Sequence, residues 1–395
     1  NIPDIIGHDY KSIDEISYHL NSTTVNKQAL LRTMRLLTTV GIFHQKIINN
    51  APSPKDGDGY DCTIEFGLST TGALLRTNSN LVTEQQQDGQ QQQPSWASLI
   101  HHWTEKPIWD AWSHLPAYVA GVETRYANNQ QSPSPPFTVA NNGTSIVEHY
   151  NQNPQSTIHR NNVVKFISPQ EIPAIVDCLF DNIDWNVVFG VNKTIVDIGG
   201  GYGTMMVELA KNIMKNVTHP AATATKNRYY CLDLPEVIHD AIADNNNSSS
   251  IVVDGNHNHK SDNDVTVEFV PGSMFEPCTI PSPVDTILIK HVLCDFCDDD
   301  VVKALSSFYS VLPSDGKVMI IDAVLLDGPE AFNQKQTQAS FDLLLMLVDG
   351  NRRMERSVSE WNRLAQKAGF VIKEIISTAS YISSFNITIL SKQTS

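Results

Sequence analysis

The apolar positions near the start of the chain repeat with the period of a helix. Ser12–Glu15 reads as a capping box, which predicts a short helix that begins there. Residues 23–43 predict a second helix, because apolar side chains recur every three or four positions at Leu30, Met34, Leu37 and Val40. The segment CTIEFGL at 62–68 then predicts a small β-wing. The sequence up to residue 155 therefore predicts a mostly helical domain of winged-helix type.

From residue 156 to residue 395, short apolar runs alternate with helical stretches. The runs predict strands at TIVDIGG (194–200), YYCLDLP (229–235), VTVEFV (265–270), DTILIKHVL (285–293) and KVMIIDAVL (317–325). Such alternation is typical of a doubly wound parallel sheet in the α/β class. Two further runs, GFVIKEIIS and FNITILSK, predict an antiparallel hairpin at the end of the chain. A Rossmann-like domain is thus predicted over 156–395, after the N-terminal domain over 1–155.

Three polar tracts interrupt these patterns, at 84–94, 127–136 and 244–263. They are rich in Gln, Asn, Ser and Pro, and they hold too little apolar surface to fold alone. We therefore predict that all three are loop insertions without a chemical role.

Composition and charge narrow the range of functions. The 395 residues carry a formal net charge of -15, which opposes a broad phosphate-binding surface and hence a nucleic-acid partner. Because no apolar stretch approaches the length of a membrane span, no membrane partner is expected. Six scattered cysteines predict reduced thiols and a cytoplasmic location. The chain begins with Asn1, which leaves open whether other residues precede it.

The most informative segment joins the first strand of the predicted sheet to a helix. It reads D-x-G-x-G-x-G, with Asp197 followed by Gly199, Gly201 and Gly203. Glycine lets a ligand approach the backbone at the carboxyl end of a strand, where open α/β sheets bind ligands. A dinucleotide would favour G-x-G-x-x-G, and an acid fits poorly beside two phosphates. The ammonium and sulfonium charges of S-adenosyl-L-methionine fit Asp197 better, although a purely structural turn is the alternative.

The next two strand ends carry groups that suit the same cofactor. Asp233, followed by Leu234, lies where an acid can accept hydrogen bonds from both ribose hydroxyls, and a surface loop acid is the alternative. Ser273, Met274 and Phe275 follow the third strand, and the last two could sandwich an adenine ring or belong to the core. Suitable groups at three consecutive strand ends favour a cofactor site over coincidence.

At this point the chain resembles the small-molecule O-methyltransferases of the plant caffeic-acid and animal acetylserotonin types. The resemblance rests on RTMRLLTTVGIF, WDAWSHL, VDIGGGYGT, LDLPEVI, PGSMFEP and WNRLAQKAGF, in that order. It implies an N-terminal dimerisation domain, and hence a homodimer, before the catalytic domain. It also implies that Gly199 lies against the cofactor, Asp233 binds the ribose and Met274 packs on the adenine. Lys290 and Asp295 are then expected near the cofactor, and Ser273 replaces the family's usual Asp.

The resemblance also exposes one departure, at the general base. The family typically reads K-x-x-L-H-D-W, whereas this chain reads Lys290-His291-Val292-Leu293-Cys294-Asp295-Phe296. Cys294 therefore stands where the family has its catalytic histidine. Asp322 and Glu355 match the two acids that flank the family's base, so we assign all three as catalytic positions. His291 is a possible substitute base, but a packed histidine is favoured.

These residues predict methyl transfer from S-adenosyl-L-methionine to a hydroxyl of a small, aromatic molecule. The alternative is a relative that binds the cofactor without transferring its methyl group, because the base is lost. An oxidoreductase and a winged-helix regulator are disfavoured by the glycine spacing and by the charge. No metal site is predicted, since Cys294 and Cys297 lack the second ligand pair of a structural zinc site. The resemblance also implies candidate walls of an acceptor site, and a role in the core is the alternative for these apolar residues, which are Trp109, Trp112, Phe341, Leu345 and Met346.

Overall fold

A computed structural model gives the fold of most of the chain. It describes residues 2–20, 25–49, 62–76, 96–121, 134–190, 192–216, 227–246, 248–253, 265–325, 332–378 and 385–393. The predicted loop at 84–94 lies outside these residues, as do 127–133 of the second tract and 254–263 of the third.

Helices and strands alternate through the second half of the described residues. The helices are α1 (Ile2–Ile6), α2 (Ile13–His19), α3 (Lys27–Thr39), α4 (Thr70–Ala73), α5 (Trp96–Thr104), α6 (Lys106–Ala111), α7 (Leu115–Val119), α8 (Pro136–Ala140), α9 (Ile146–Gln152), α10 (Pro154–Asn182), α11 (Trp185–Phe189), α12 (Thr204–Asn216), α13 (Pro235–Asp244), α14 (Asp298–Val311), α15 (Phe332–Asp349) and α16 (Val358–Lys367). The strands are β1 (Lys11–Ser12), β2 (Phe43–Asn49), β3 (Cys62–Leu68), β4 (Thr194–Ile198), β5 (Arg228–Asp233), β6 (Ser250–Val253), β7 (Val265–Pro271), β8 (Thr286–Lys290), β9 (Lys317–Asp322), β10 (Val324–Leu325), β11 (Arg356–Ser357), β12 (Phe370–Ser377) and β13 (Asn386–Lys392).

The chain divides into two units, each built from two segments. The first comprises Asn1–Trp109 and Tyr150–Phe166, and the second comprises Asp110–His149 and Ile167–Ser395. This division differs from the predicted boundary between residues 155 and 156, which falls inside the continuous helix α10. A helix that begins in one unit and ends in the other leaves no composition change to mark the boundary.

The first unit packs short helices against a three-stranded sheet. β3 pairs antiparallel with both β1 and β2, and the predicted capping box opens α2 as expected. Its core consists of Ile6, Ile16, Met34, Phe43 and Phe66. The predicted helix over 23–43 is shorter, because α3 ends at Thr39 and the chain enters β2 at Phe43. Val40 is consequently 63% exposed and is not a core residue.

The second unit contains an eight-stranded sheet. The strand order is β12-β13-β9-β8-β4-β5-β7-β6, and the five strands from β9 to β7 run parallel. The predicted parallel sheet is thus confirmed, and so is the C-terminal hairpin, since β13 pairs antiparallel with both β12 and β9. The loop prediction for 244–263 is wrong at Ser250–Val253, which forms the antiparallel edge strand β6.

Alternate residues of the central strands face two separate cores. Ile195 of β4 belongs to one buried cluster and Val196 to the other, and Leu288 and Ile289 of β8 divide in the same way. Since successive side chains of a strand point to opposite faces, both faces of the sheet are covered. This explains why all five residues of β4 are buried and three of them are apolar. Among the described helices, none has the length and hydropathy of a membrane span.

Candidate active site

The loop between β4 and α12 has a backbone that favours glycine. Gly199, Gly201 and Gly203 have φ angles of 69°, 55° and 76°, in the left-handed region that other residues rarely adopt. A Cβ added at Gly199 would lie 2.5 Å from Cγ2 of Val292, whereas one at Gly201 would meet no atom within 4 Å. The loop is therefore packed closely at its start and open at Gly201.

Asp197 lies one residue before the end of β4 and is buried. Its Oδ1 has no hydrogen-bond partner, although buried polar atoms are usually satisfied. Burial raises the pKa of Asp197 to about 7, and the Lys290 ammonium partly opposes that increase. A carboxylate held in this way favours a cationic partner.

Asp233 is the last residue of the neighbouring strand β5 and contacts the glycine loop. Its Oδ2 accepts a hydrogen bond from the Gly201 amide at 2.9 Å, and its Oδ1 accepts one from the Leu234 amide at 2.8 Å. Burial raises the pKa of Asp233, while these two amides lower it. The structure thus brings together Asp233 and Gly201, which the sequence places on separate elements. Leu234 is exposed beside them.

The segment after β7 supplies Ser273 and Met274. The Ser273 hydroxyl accepts a hydrogen bond from the Phe275 amide at 3.3 Å, and the Ser273 amide donates to the Thr279 hydroxyl at 3.0 Å. Met274 is buried in the same core cluster as Leu232. Ser273 therefore shapes a turn, and most of the Met274 surface already contacts protein.

Lys290 and Asp295 each have a protein partner. The Lys290 Nζ lies 3.0 Å from Oε2 of Glu171 and 5.0 Å from the centre of the Phe385 ring. Asp295 pairs with Arg353 at 3.4 Å. Glu171 was not expected from the sequence, because it lies on α10, far from Lys290 along the chain.

The three assigned catalytic positions are buried close to one another. Cys294 lies in a 3-10 turn after β8, and the Met354 amide donates a hydrogen bond to the Cys294 carbonyl at 3.0 Å. The pairing of β10 with β11 brings Glu355 toward the end of β9, where Asp322 lies. Oε2 of Glu355 has no hydrogen-bond partner, whereas a hydrogen bond from the His291 backbone lowers the pKa of Asp322.

Burial controls the protonation of this group. It raises the pKa of the Cys294 thiol well above its usual range, and the charges of Asp322, Asp295 and Glu355 raise it further. Burial also raises the pKa of Asp322 and of Glu355, and for Glu355 the neighbouring Asp322 adds to the effect. The neighbouring acids thus raise the pKa of the thiol, but burial is the larger cause. At neutral pH, Cys294 is a protonated thiol and a poor base.

His291 is a packed residue, as the sequence favours. It follows β8 with a φ of 53°, and its ring lies 5.6 Å from that of Phe341 and 5.1 Å from that of Phe385. Burial lowers the pKa of His291 to about 3, so the imidazole is neutral. Among the candidate acceptor walls, Phe341 therefore lies beside His291. Leu345 of α15 is buried, and Trp109 is largely exposed.

Arg356, which sequence reasoning missed, holds the 3-10 turn Leu293–Asp295 that contains Cys294. Its Nη1 donates to the Leu293 carbonyl at 3.0 Å and its Nη2 donates to the Phe296 carbonyl at 2.6 Å. Its Nε also pairs with Asp298 at 3.1 Å, and the guanidinium lies 5.5 Å from the Trp361 ring. The arginine is almost completely buried. No local signal singles it out, because Arg352, Arg353 and Glu355 stand just before it in the sequence.

Comparison with known proteins identifies the class to which this fold and site belong. A family described as an O-methyltransferase domain matches residues 170–371, just over half of the 395 residues. The chain belongs to this O-methyltransferase family.

Individual relatives support the same classification. An O-methyltransferase of Zea mays is 32% identical over 48% of this chain and 43% of its own length, so the match covers less than half of that relative. The mitomycin biosynthesis 6-O-methyltransferase of Streptomyces lavendulae is 27% identical over 89% of this chain and 78% of its own. The structure of human N-acetylserotonin methyltransferase in complex with SAM covers 100% of this chain and 91% of its own, with a TM-score of 0.62 and 13% identity, and so shares the fold.

We expect Arg356→Met to destabilise the protein by about 2–6 kcal/mol, because each of the two carbonyls left without a donor costs about 1–3 kcal/mol. Arg363→Met is the matched control, since Arg363 also pairs with Asp298 but is exposed. Denaturant unfolding of both variants tests this. A loss of stability that is equal in the two variants would contradict the assigned role of Arg356.

Proposed function

We propose that this protein transfers a methyl group from S-adenosyl-L-methionine to a hydroxyl of a small, aromatic molecule. The observation that carries the proposal is the open glycine loop bounded by the buried Asp197 and by Asp233. Membership of the O-methyltransferase family supports the reaction class, and the relatives from Zea mays and Streptomyces lavendulae are both named as O-methyltransferases. The human neighbour is described in complex with SAM.

The residues present fit this cofactor. Oδ1 of Asp197 is buried without a partner, so a cationic amino group would satisfy it. The Asp233 carboxylate, at the end of β5, suits two ribose hydroxyls, and the exposed Leu234 offers apolar surface next to it. Gly199 and Gly203 keep the backbone of the loop free of side chains. The other proposed cofactor-binding residues are Ser273, Met274, Lys290 and Asp295.

The chemistry depends mainly on alignment. When bound, S-adenosyl-L-methionine supplies a methyl group on a positively charged sulfur. The protein has to hold the acceptor oxygen in line with that group, and such positioning contributes about 7–11 kcal/mol. A general base that removes the hydroxyl proton contributes a further factor of about 10²–10⁴. The chain retains residues that can align the acceptor with the methyl group, but it has a cysteine at the position of the general base.

The state of Cys294 favours an acceptor that is already acidic. Its thiol is protonated because it is buried among Asp322, Asp295 and Glu355, so it cannot take a proton from a neutral phenol. An acceptor that ionises in water before it binds needs no base. Binding of the cofactor without methyl transfer is the alternative function, and the names of the relatives favour the transferase.

We also infer a homodimer in the cytoplasm. Exposed apolar side chains on α2, on α3 and just after α3 support the dimer, namely Tyr18, Leu36 and Val40. Cys178, Cys231, Cys278, Cys294 and Cys297 are free thiols, as is usual in a reducing compartment.

The cofactor site is tested by Asp233→Ala. We expect the variant to bind S-adenosylhomocysteine about 1–3 kcal/mol more weakly in isothermal titration, the usual cost of losing charge-assisted hydrogen bonds. Asp240→Ala, which removes an exposed acid of α13, should leave binding unchanged. If NADH stabilises the wild type against heat and S-adenosylhomocysteine does not, the proposed function is wrong.

The base position is tested by Cys294→His. We expect turnover of a neutral phenol to rise by up to about 10²–10⁴-fold, because an imidazole can accept the hydroxyl proton. Labelled methyl transfer should be measured in buffer containing EDTA, so that no metal binds the new histidine. A wild type that is already fast and is slowed by the substitution would refute this account of Cys294.

The dimer is tested by Leu36→Glu. We expect light scattering to give twice the chain mass for the wild type and the chain mass for the variant, because a buried charge opposes association. Val187→Glu is the control, since Val187 is an exposed apolar residue of the second unit. A monomeric wild type at every concentration would exclude the dimer.

A further inference from the structure

Three side chains of different chemistry converge at the position where the family has its base. A ring nitrogen of His291, Sγ of Cys294 and a carboxylate oxygen of Glu355 lie within 4.8 Å of one another. Cys294 and Glu355 are 2% and 3% exposed. The group is built from the turn after β8 and from the residue that precedes β11, so its formation requires the folded chain.

We propose that His291, Cys294 and Glu355 bind one divalent metal ion of the zinc type. Imidazole, thiolate and carboxylate are the ligands that zinc takes in proteins. Three protein ligands with an open fourth position are typical of zinc sites that bind a small molecule, whereas closed structural sites use four. This site differs from the cysteine pair considered in the sequence, because Cys297 donates to Asp300 at 3.1 Å and is not one of the three ligands.

Unsatisfied polar atoms give independent support. Nε2 of His291 and Oε2 of Glu355 are buried and have no hydrogen-bond partner. Asp322 interacts electrostatically with both Cys294 and Glu355, so it borders the group. Buried polar atoms without partners are rare in native proteins and call for an explanation. An ion bound by the imidazole and the carboxylate provides one.

Charge balance favours a divalent cation. When the Sγ–metal bond forms, the Cys294 thiol releases its proton to solvent, and no change of oxidation state is needed. The thiolate and the Glu355 carboxylate then contribute two negative charges, which the ion neutralises, while His291 binds as a neutral imidazole. A buried site without net charge avoids the cost of burying an unpaired ion.

The two ligand segments are held in place by contacts outside the site. The Met354 amide donates to the Cys294 carbonyl at 3.0 Å, and Arg356 binds the carbonyl of Leu293. The rings of Phe341 and Phe385 pack against His291 and restrict its orientation. Ligands fixed before an ion arrives lose little freedom on binding it. The bound ion would supply Lewis acidity at this position.

Ion binding goes beyond the proposed methyl transfer and can be tested without it. The full chain is purified, dialysed against EDTA and then against metal-free buffer, and titrated with Zn²⁺ or Co²⁺ alone. We expect one ion per chain by elemental analysis after gel filtration. With Co²⁺ we also expect the thiolate-to-cobalt charge-transfer band and the visible bands of a four-coordinate site.

Single substitutions test the identity of the ligands. Cys294→Ser should abolish the charge-transfer band and weaken Co²⁺ binding by more than about 10-fold, the smaller effect known for residues that merely support a metal ligand. Glu355→Gln should weaken binding while keeping the band. Cys297→Ser is the matched control, because it removes a thiol three positions away, and it should keep both the band and the stoichiometry.

The wild type alone can overturn the proposal, by binding no stoichiometric ion. Ion binding that is unchanged by Cys294→Ser and Glu355→Gln would also overturn it, since the ion would then lie elsewhere. Circular dichroism establishes whether each variant folds. If Cys294→Ser does not fold, His291→Asn tests the same site, because asparagine tolerates the left-handed backbone at this position. A failure of methyl transfer would leave these results standing.

Discussion

The guanidinium of Arg356 holds the candidate catalytic turn in place. It binds the carbonyls of Leu293 and Phe296 on either side of Cys294, and it reaches Asp298 at the start of α14. An arginine buried to this extent has a large desolvation cost, which is offset only when its donors are used. Because Glu355 directly precedes it, the same interaction sets the distance between that acid and the cysteine. The geometry of the site therefore depends on a residue that takes no direct part in the proposed chemistry.

The sheet places the remaining groups by its topology. β4 has β5 on one side and β8 on the other, so the chain changes direction beside β4. Ligands of open α/β sheets bind at such a point, beyond the carboxyl ends of the strands. Asp233 is the last residue of β5, Lys290 of β8 and Asp322 of β9. All three therefore lie at the carboxyl ends of the parallel strands. The long-range order of strands, rather than any local motif, brings them into one site.

The parts that could be predicted from the sequence are those with local signals. The apolar runs predicted the parallel strands, because strands buried on both faces need apolar side chains at nearly every position. The spacing of Gly199, Gly201 and Gly203 predicted the loop, because left-handed backbone favours glycine. The strand β6 was missed because its few apolar residues lie in an Asn-rich tract. Glu171 was missed because its pairing with Lys290 depends on how α10 packs, which no local pattern encodes.

Buried acids have different electrostatic surroundings near the glycine loop and around Cys294. Near the glycine loop, Asp197 is opposed by Lys290, which is itself paired with Glu171. Around Cys294, the cations that act on Asp322 and Glu355 do not overcome burial, and Oε2 of Glu355 stays without a hydrogen bond. The loop half thus has a lysine close to its buried acid but still leaves Oδ1 of Asp197 without a partner, whereas the cysteine half requires protons or a cation to be neutral. A cysteine in place of a histidine therefore changes the charge that the site can hold as well as its ability to accept a proton.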